Sequence, residues 1–272
     1  MSDPSTTASV LQSAVWNLCF GLQCAPRYWG LSFHRTSFIA SGRMSAKIDI
    51  LTVGYANMID ASGDGPKGAD QKKFMRATGS CCLVRSGGMN ILFDTMGPWE
   101  KDQLVAKLAN HNVHPGDIHY LVCSHTHPDH IGNVNQFTSA KKHFLGTSVY
   151  TNDEYDLNQF EPIGSYTFPL ANDNTVEVIR YQNYELDRNL SIEPTPGHTL
   201  ECISLIVDNC DSRGRVALAG DLFERQEDVK DAEIWLAAGS QNPDLQRAHR
   251  DKIIKRCDYI LPGHGPLFKV DR

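Results

Sequence analysis

From Lys47 onward the chain alternates short apolar runs with amphipathic ones. "KIDILTVG" (47–54) predicts a strand, and "GSCCLVRSGGMNILFDT" (79–95) predicts two apolar strands with Gly87-Gly88 at the hairpin between them. "PWEKDQLVAKLANHN" (98–112) reads as a helix opening at Pro98, because Leu104, Val105 and Leu108 recur at helical spacing. The unbroken run "IHYLVCS" (118–124) predicts a buried strand, and "IGNVNQF" (131–137) is placed to begin a helix. In the second half "TVEVIR", "LSIEPT", "CISLIVD" and "RVALAGD" read as strands. "DAEIWLAA" and "DLQRAHRDKIIKRC" then read as helices, and "DYILPG" as a last strand. Two β-rich halves, each followed by helices, predict an α/β domain of two sheets packed face to face with helices outside. No linker separates the halves, so residues 47–272 form one expected domain.

Composition adds little to that picture except at the N-terminus. The chain has 272 residues, 41% of them hydrophobic, enough for one full core. Residues 4–48 carry no acidic side chain and are rich in Ser and Thr. They resemble a mitochondrial transit peptide in composition, but the stretch "VLQSAVWNLCF" lacks arginines on one helical face. A disordered leader or an extension upstream of an alternative start at Met44 is the expectation for residues 1–46, with a cytoplasmic or nuclear location and the mitochondrion as the alternative. The net charge of −6 argues against a broad electrostatic footprint for nucleic acid, although a local basic groove stays open. Eight cysteines without CxxC spacing read as buried free thiols of a reducing compartment. No run of ~20 apolar residues exists to insert into a membrane.

Chemistry concentrates in "SHTHPDHIGN" (124–133), which follows a predicted buried strand. His125 and His127, two apart in extended chain, point the same way and can grip one ion. Pro128 then turns the chain, aiming Asp129 and His130 at a second ion or at water on the first. His198 in "TPGHT", Asp221 in "LAGDLF" and His264 in "LPGHGP" stand at similar points, where an apolar strand yields to a glycine turn. Each alone reads as a turn or cap residue, but together they complete the six or seven ligands that two divalent ions need. Asp94, ending "ILFD", is either a strand-end cap or a carboxylate orienting a ligating histidine. The other histidines, at 34, 111, 114, 119, 143 and 249, have no such partners and are expected to be structural.

With these residues in order, the chain from about 47 to 270 resembles the metallo-β-lactamase fold superfamily. The resemblance implies a four-layer αββα sandwich with two divalent metal ions, zinc in most readings, along one edge. It implies His125, His127 and His198 as ligands of one ion, Asp129, His130 and His264 as ligands of the other, and Asp221 as the bridge. β-Lactamases of the common class carry Cys where Asp221 stands, which disfavours lactam hydrolysis. "SGGMNILFDTMGPWE", "HPGDIHYLVCSHTHPDHIGN", "AGDLFERQED" and "PGHGPLFKV" are further similar to a subfamily described as endoribonucleases of histone pre-mRNA 3′ ends. One departure is Met96, where the usual pattern has glycine directly after Asp-Thr.

The expected reaction is hydrolysis by a metal-bridging hydroxide, with Asp129 orienting it or relaying its proton. RNA is the substrate implied by the subfamily, and Lys67, Lys72, Lys73 and Arg76 in "GPKGADQKKFMR" are the local candidates for contacting phosphate. The ligand set serves other substrates equally. A glyoxalase II-like thioesterase or a lactonase is the main alternative; an iron-dependent oxygenase and a non-catalytic metal-binding scaffold also stay open. A homodimer is a further expectation for partners.

Overall fold

The central strands of both sheets are buried on both faces, and this sets the layering. In the computed structural model, which describes residues 45–59 and 74–271, β1 (Lys47–Thr52) is followed by a hairpin of β2 (Tyr55–Ile59) and β3 (Phe74–Thr78). Next come β4 (Cys81–Ser86) and β5 (Met89–Phe93), which pair through the Gly87-Gly88 turn with Ser86 opposite Met89. A 3₁₀ turn (Pro98–Glu100) then leads into α1 (Lys101–Asn110), and β6 (Tyr120–Cys123) runs parallel to β5. After the one-turn helix α2 (Pro128–Ile131), strands β7 (Lys142–Leu145), β8 (Ser148–Thr151) and β9 (Glu154–Tyr155) complete a seven-stranded sheet in the order β1-β4-β5-β6-β7-β8-β9.

The second half opens with a separate hairpin, β10 (Pro162–Pro169) and β11 (Thr175–Tyr181). Strands β12 (Tyr184–Asp187), β13 (Leu190–Pro194), β14 (Ile203–Cys210) and β15 (Gly214–Gly220) follow. Helices α3 (Ala232–Ala237) and α4 (Pro243–Arg256) precede β16 (Tyr259–Pro262) and β17 (Phe268–Lys269). The six-stranded sheet runs in sequence order from β12 to β17, with β15 and β16 parallel because α4 carries the chain back over the sheet.

Alternation along single strands shows the four layers. Cys82 and Val84 of β4 face the core between the sheets, with Ile192, Leu205 and Leu218 of the second sheet. Their neighbours Cys81 and Leu83 face the other way, onto Leu104 and Leu108 of α1. In the second sheet Ile206 and Ala217 pack against Ile253 of α4. The sandwich is therefore helix, sheet, sheet, helix, as the sequence predicted. α4 begins where Asn242 accepts from the Leu245 N–H with Pro243 at its first position.

One local expectation needs adjusting. "IGNVNQF" does not start a long helix: α2 ends at Gly132, and only a 3₁₀ turn (Val134–Gln136) follows. Gly132 lies against the Gly97–Pro98 backbone, where a Cβ would meet Pro98 N at 2.2 Å, so the chain is committed to that contact. Met96, in the place usual for glycine, takes φ +59 and is fully buried, its sulfur accepting from Thr52 Oγ1 at 3.3 Å. Asp94 two residues earlier has φ +56, so this loop holds two non-glycine residues in the left-handed region. Cys81, Cys82, Cys123, Cys202, Cys210 and Cys257 are buried free thiols. No helix among the described residues is long and apolar enough to cross a membrane. Lys67, Lys72 and Lys73, and nearly all of the expected leader, lie outside the described residues; Arg76 is exposed in β3 opposite Asn57.

Candidate metal centre

Parallel pairing puts strand C-termini side by side, and the chemical groups ride on them. β6 runs into Ser124-His125-Thr126-His127, and Pro128 at the first position of α2 then turns Asp129 and His130 back toward the same point. β13 leads to His198, β15 to Asp221 and β16 to His264. Gly263 N–H donates to the carbonyls of Gly220 (3.0 Å) and Phe223 (2.9 Å), which locks the Asp221 and His264 loops together. The two halves are joined by Ile203 N–H to Ser124 O at 2.9 Å. Gly263 leaves no room for a side chain, since a Cβ there would stand 1.8 Å from Asp221 Oδ1.

All seven residues that the sequence offered as ligands converge, in two groups. His127 Nδ1 lies 2.9 Å from His125 Nε2 and 3.1 Å from His198 Nε2. Asp221 Oδ2 stands 3.5 Å from His125 Nε2 and 3.4 Å from His198 Nε2, closing a set of four donors. Asp129 Oδ2 lies 3.7 Å from both His130 Nε2 and His264 Nε2, forming the second set. Asp221 reaches this set too, with Oδ1 at 3.1 Å from His130 Nε2 and Oδ2 at 3.3 Å from His264 Nε2.

These spacings fit a cation better than a hydrogen-bond network. A tetrahedral ion with ligands at ~2.0–2.1 Å has donor-to-donor edges of about 3.3 Å, the middle of the range found in the first set. His130 Nε2 and Asp221 Oδ1 are buried without a hydrogen-bond partner despite their 3.1 Å approach, as two donors sharing an ion rather than a proton would be. Burial, then the neighbouring His130, holds His125 well below the usual imidazole range, and burial also lowers His198, so both favour the neutral, ligating form. Burial resists ionisation of Asp221, but the surrounding His130, His264 and His125 overcome it and keep the carboxylate charged.

Asp94 stands against His130, where a carboxylate can orient the imidazole. Fully buried, it accepts from Ser124 N–H (2.6 Å) and Ser124 Oγ (3.0 Å), and faces His130 Nδ1 at 2.7 Å. That fixes the proton of His130 on Nδ1 and leaves Nε2 facing the second set. Glu224 escaped sequence reasoning. It is buried, with Oε2 4.0 Å from His264 Nε2, and forms a third donor group with Asp221 and His264. Burial and then the charge of Asp221 push its carboxyl up to about 8. His264 is held at about 9 although burial opposes its charge, because Asp221 faces it. Of the other described histidines, His143 Nε2 donates to Phe137 O and its ring stacks on Tyr150, away from this centre.

The geometry agrees with what comparison finds. The model of the metallo-beta-lactamase superfamily matches residues 76–264. The chain is 34% identical over 223 residues to metallo-beta-lactamase domain-containing protein 1 of Xenopus laevis, covering 82% of this chain and 81% of that one. It is 33% identical to the Homo sapiens protein of the same name over 67% of this chain, a match spanning 60% of the human protein. Among solved structures, a quorum-quenching N-acyl homoserine lactone lactonase superposes with a TM-score of 0.55 at 21% identity, over 82% of this chain and 93% of that one. A match across most of the sandwich, with histidines and aspartates converging at its strand ends, means that the chain belongs to the metallo-β-lactamase superfamily.

Proposed function

We propose that this chain is a dinuclear metal-dependent hydrolase, loaded with zinc, whose substrate is an RNA phosphodiester. The observation that carries the hydrolase reading is Asp221, whose two oxygens face donors of both groups at 3.1–3.5 Å. When bound, paired divalent ions supply Lewis acidity and deprotonate water near neutral pH. The chain's own residues supply the rest. His125, His127 and His198 with Asp221 would hold one ion; Asp129, His130 and His264 with Asp221 would hold the other. Asp94 keeps the His130 proton on Nδ1. The Asp129 carboxylate, partly exposed beside His130 and His264, is placed to orient the attacking water and accept its proton at Oδ2.

The RNA half of the proposal draws on the resemblance of the segments around the ligands to the endoribonuclease subfamily, and on the 34% identity to proteins named metallo-beta-lactamase domain-containing protein 1. Exposed Arg76, which follows Lys67, Lys72 and Lys73 in the sequence, offers a phosphate contact. A second reading, hydrolysis of a lactone or a thioester, is favoured by the structural likeness to the lactonase. One panel separates them: single-stranded RNA, an acyl-homoserine lactone and S-acyl glutathione, each with wild type and Asp221→Ala. The proposal expects RNA cleavage that Asp221→Ala abolishes. Lactone turnover without RNA cleavage replaces the substrate, and two bound metal equivalents with no turnover make the chain a scaffold.

A further inference from the structure

A second cavity lies under the β10–β11 hairpin, where it covers β13 and α4. Its volume is about 350 Å³, within the range of sites for small organic molecules. Its wall carries three cations, Arg180 of β11 and Lys252 and Arg256 of α4, against one carboxylate, Glu193 of β13. Glu193 is already engaged by Lys252 (2.9 Å) and by both arms of Arg256 (2.7 and 2.8 Å). Arg180, exposed at the mouth, makes no ion pair with any described carboxylate, so three positive charges less one leave the wall at +2.

The rest of the lining is suited to a flat ring. Tyr166, Tyr181 and Ile179 are partly buried there, Ile163 is exposed at the rim, and Asn183 adds an amide. His249, one turn before Lys252 on α4, also lines the cavity. It is 3% exposed, yet neither of its ring nitrogens meets a hydrogen-bond partner among the described residues. Burial, reinforced by Lys252, holds it at about 4, so at neutral pH it offers one N–H and one lone pair. A buried imidazole with both nitrogens unanswered costs stability unless a ligand supplies the partners.

We infer that this cavity binds a nucleoside monophosphate unit, its dianionic phosphate at Arg180 and Lys252, its base between the tyrosines and the isoleucines, and a base edge on His249. A phosphate monoester matches the +2 wall, and the donor–acceptor pair of His249 matches a heterocycle edge better than a simple carboxylate. The site is distinct from the candidate metal centre and independent of the RNA proposal for it. The unit could come as a free mononucleotide or as the 5′-phosphorylated end of a strand.

Calorimetric titration of the full chain with AMP, UMP and a 5′-phosphorylated RNA decamer tests this, in an Asp221→Ala background to prevent cleavage. Saturable one-to-one binding is expected, weakened at least about tenfold by Arg180→Glu, an exposed change that leaves the core intact. His249→Phe, which keeps a flat ring without nitrogens, should also weaken it. A decamer that competes with AMP indicates the strand end, and AMP binding without competition indicates the free nucleotide. Absence of binding by all three probes, or binding that neither substitution changes, overturns the inference.

Discussion

Replacing Asp94 by Asn tests the centre through an atom that touches no ion. The side chain keeps its shape and Oδ1 still accepts the Ser124 N–H, now at 2.6 Å. In place of Oδ2, however, an amide donor faces His130 Nδ1 at 2.7 Å and Ser124 Oγ at 3.0 Å. The serine hydroxyl can rotate to accept; the imidazole must move its proton to Nε2. That atom faces Asp221 Oδ1 at 3.1 Å, so a metal at the second group has to displace a proton that the native tautomer does not place there. Loss of such an orienting partner typically lowers metal affinity ~10–100-fold, or about 1.4–2.8 kcal/mol. The first group of four contains no atom bonded to Asp94 and meets it only through Ser124 Oγ, 3.0 Å from His125 Nδ1, so its affinity should change less. Competition for zinc against a chromophoric chelator, fitted for two sites, reads both constants directly. Selective weakening of one site is the expected result. Equal weakening of both sites, or two unchanged constants, would refute the tautomer argument even if activity fell.

Glu193→Gln probes the fold instead. Burial alone would raise this carboxyl, but Arg256 and Lys252 bring it from 4.5 down to about 2, so its ionisation stabilises the native state above the unfolded value and is lost as pH falls from about 4.5 toward 2. The variant should lose at most about 3 kcal/mol at pH 7, less for the partly exposed partners, and the gap in urea unfolding should close over that acid window. Arg250→Ala should cost about 3–5 kcal/mol, because it strands buried Asp228, which the guanidinium meets at 2.7 and 3.1 Å; thermal unfolding unchanged from wild type would contradict this. In Gly263→Ala the new methyl takes the position of Asp221 Oδ1, so bound metal per chain should fall while far-UV circular dichroism stays native; full metal occupancy would show that the loops can part.

The difference between Asp94 and Glu224 shows which parts of such a site a sequence can carry. The sandwich was legible because strands such as β4 are apolar on both faces, Cys82 and Val84 turned to one layer and Cys81 and Leu83 to another. The β10–β11 hairpin was half lost, since most residues of β10 are exposed and leave no alternation to read. The donors were legible because each sits on a strand end marked by Pro or Gly, and Asp94 because it closes an apolar strand. Glu224 has no such mark: in "GDLFERQED" it is one of several acidic residues that nothing local sets apart. Its burial depends on Arg250 of α4, which holds Asp228 and the Leu222 carbonyl, while Asp228 in turn accepts the Glu224 N–H at 2.6 Å. The position of a carboxyl beside the metal centre is thus set by an ion pair with a helix more than twenty residues away, a coupling that no local spacing expresses. Arg250→Ala should accordingly disturb metal binding as well as stability, and equal effects on both would locate that coupling in the 221–228 turn.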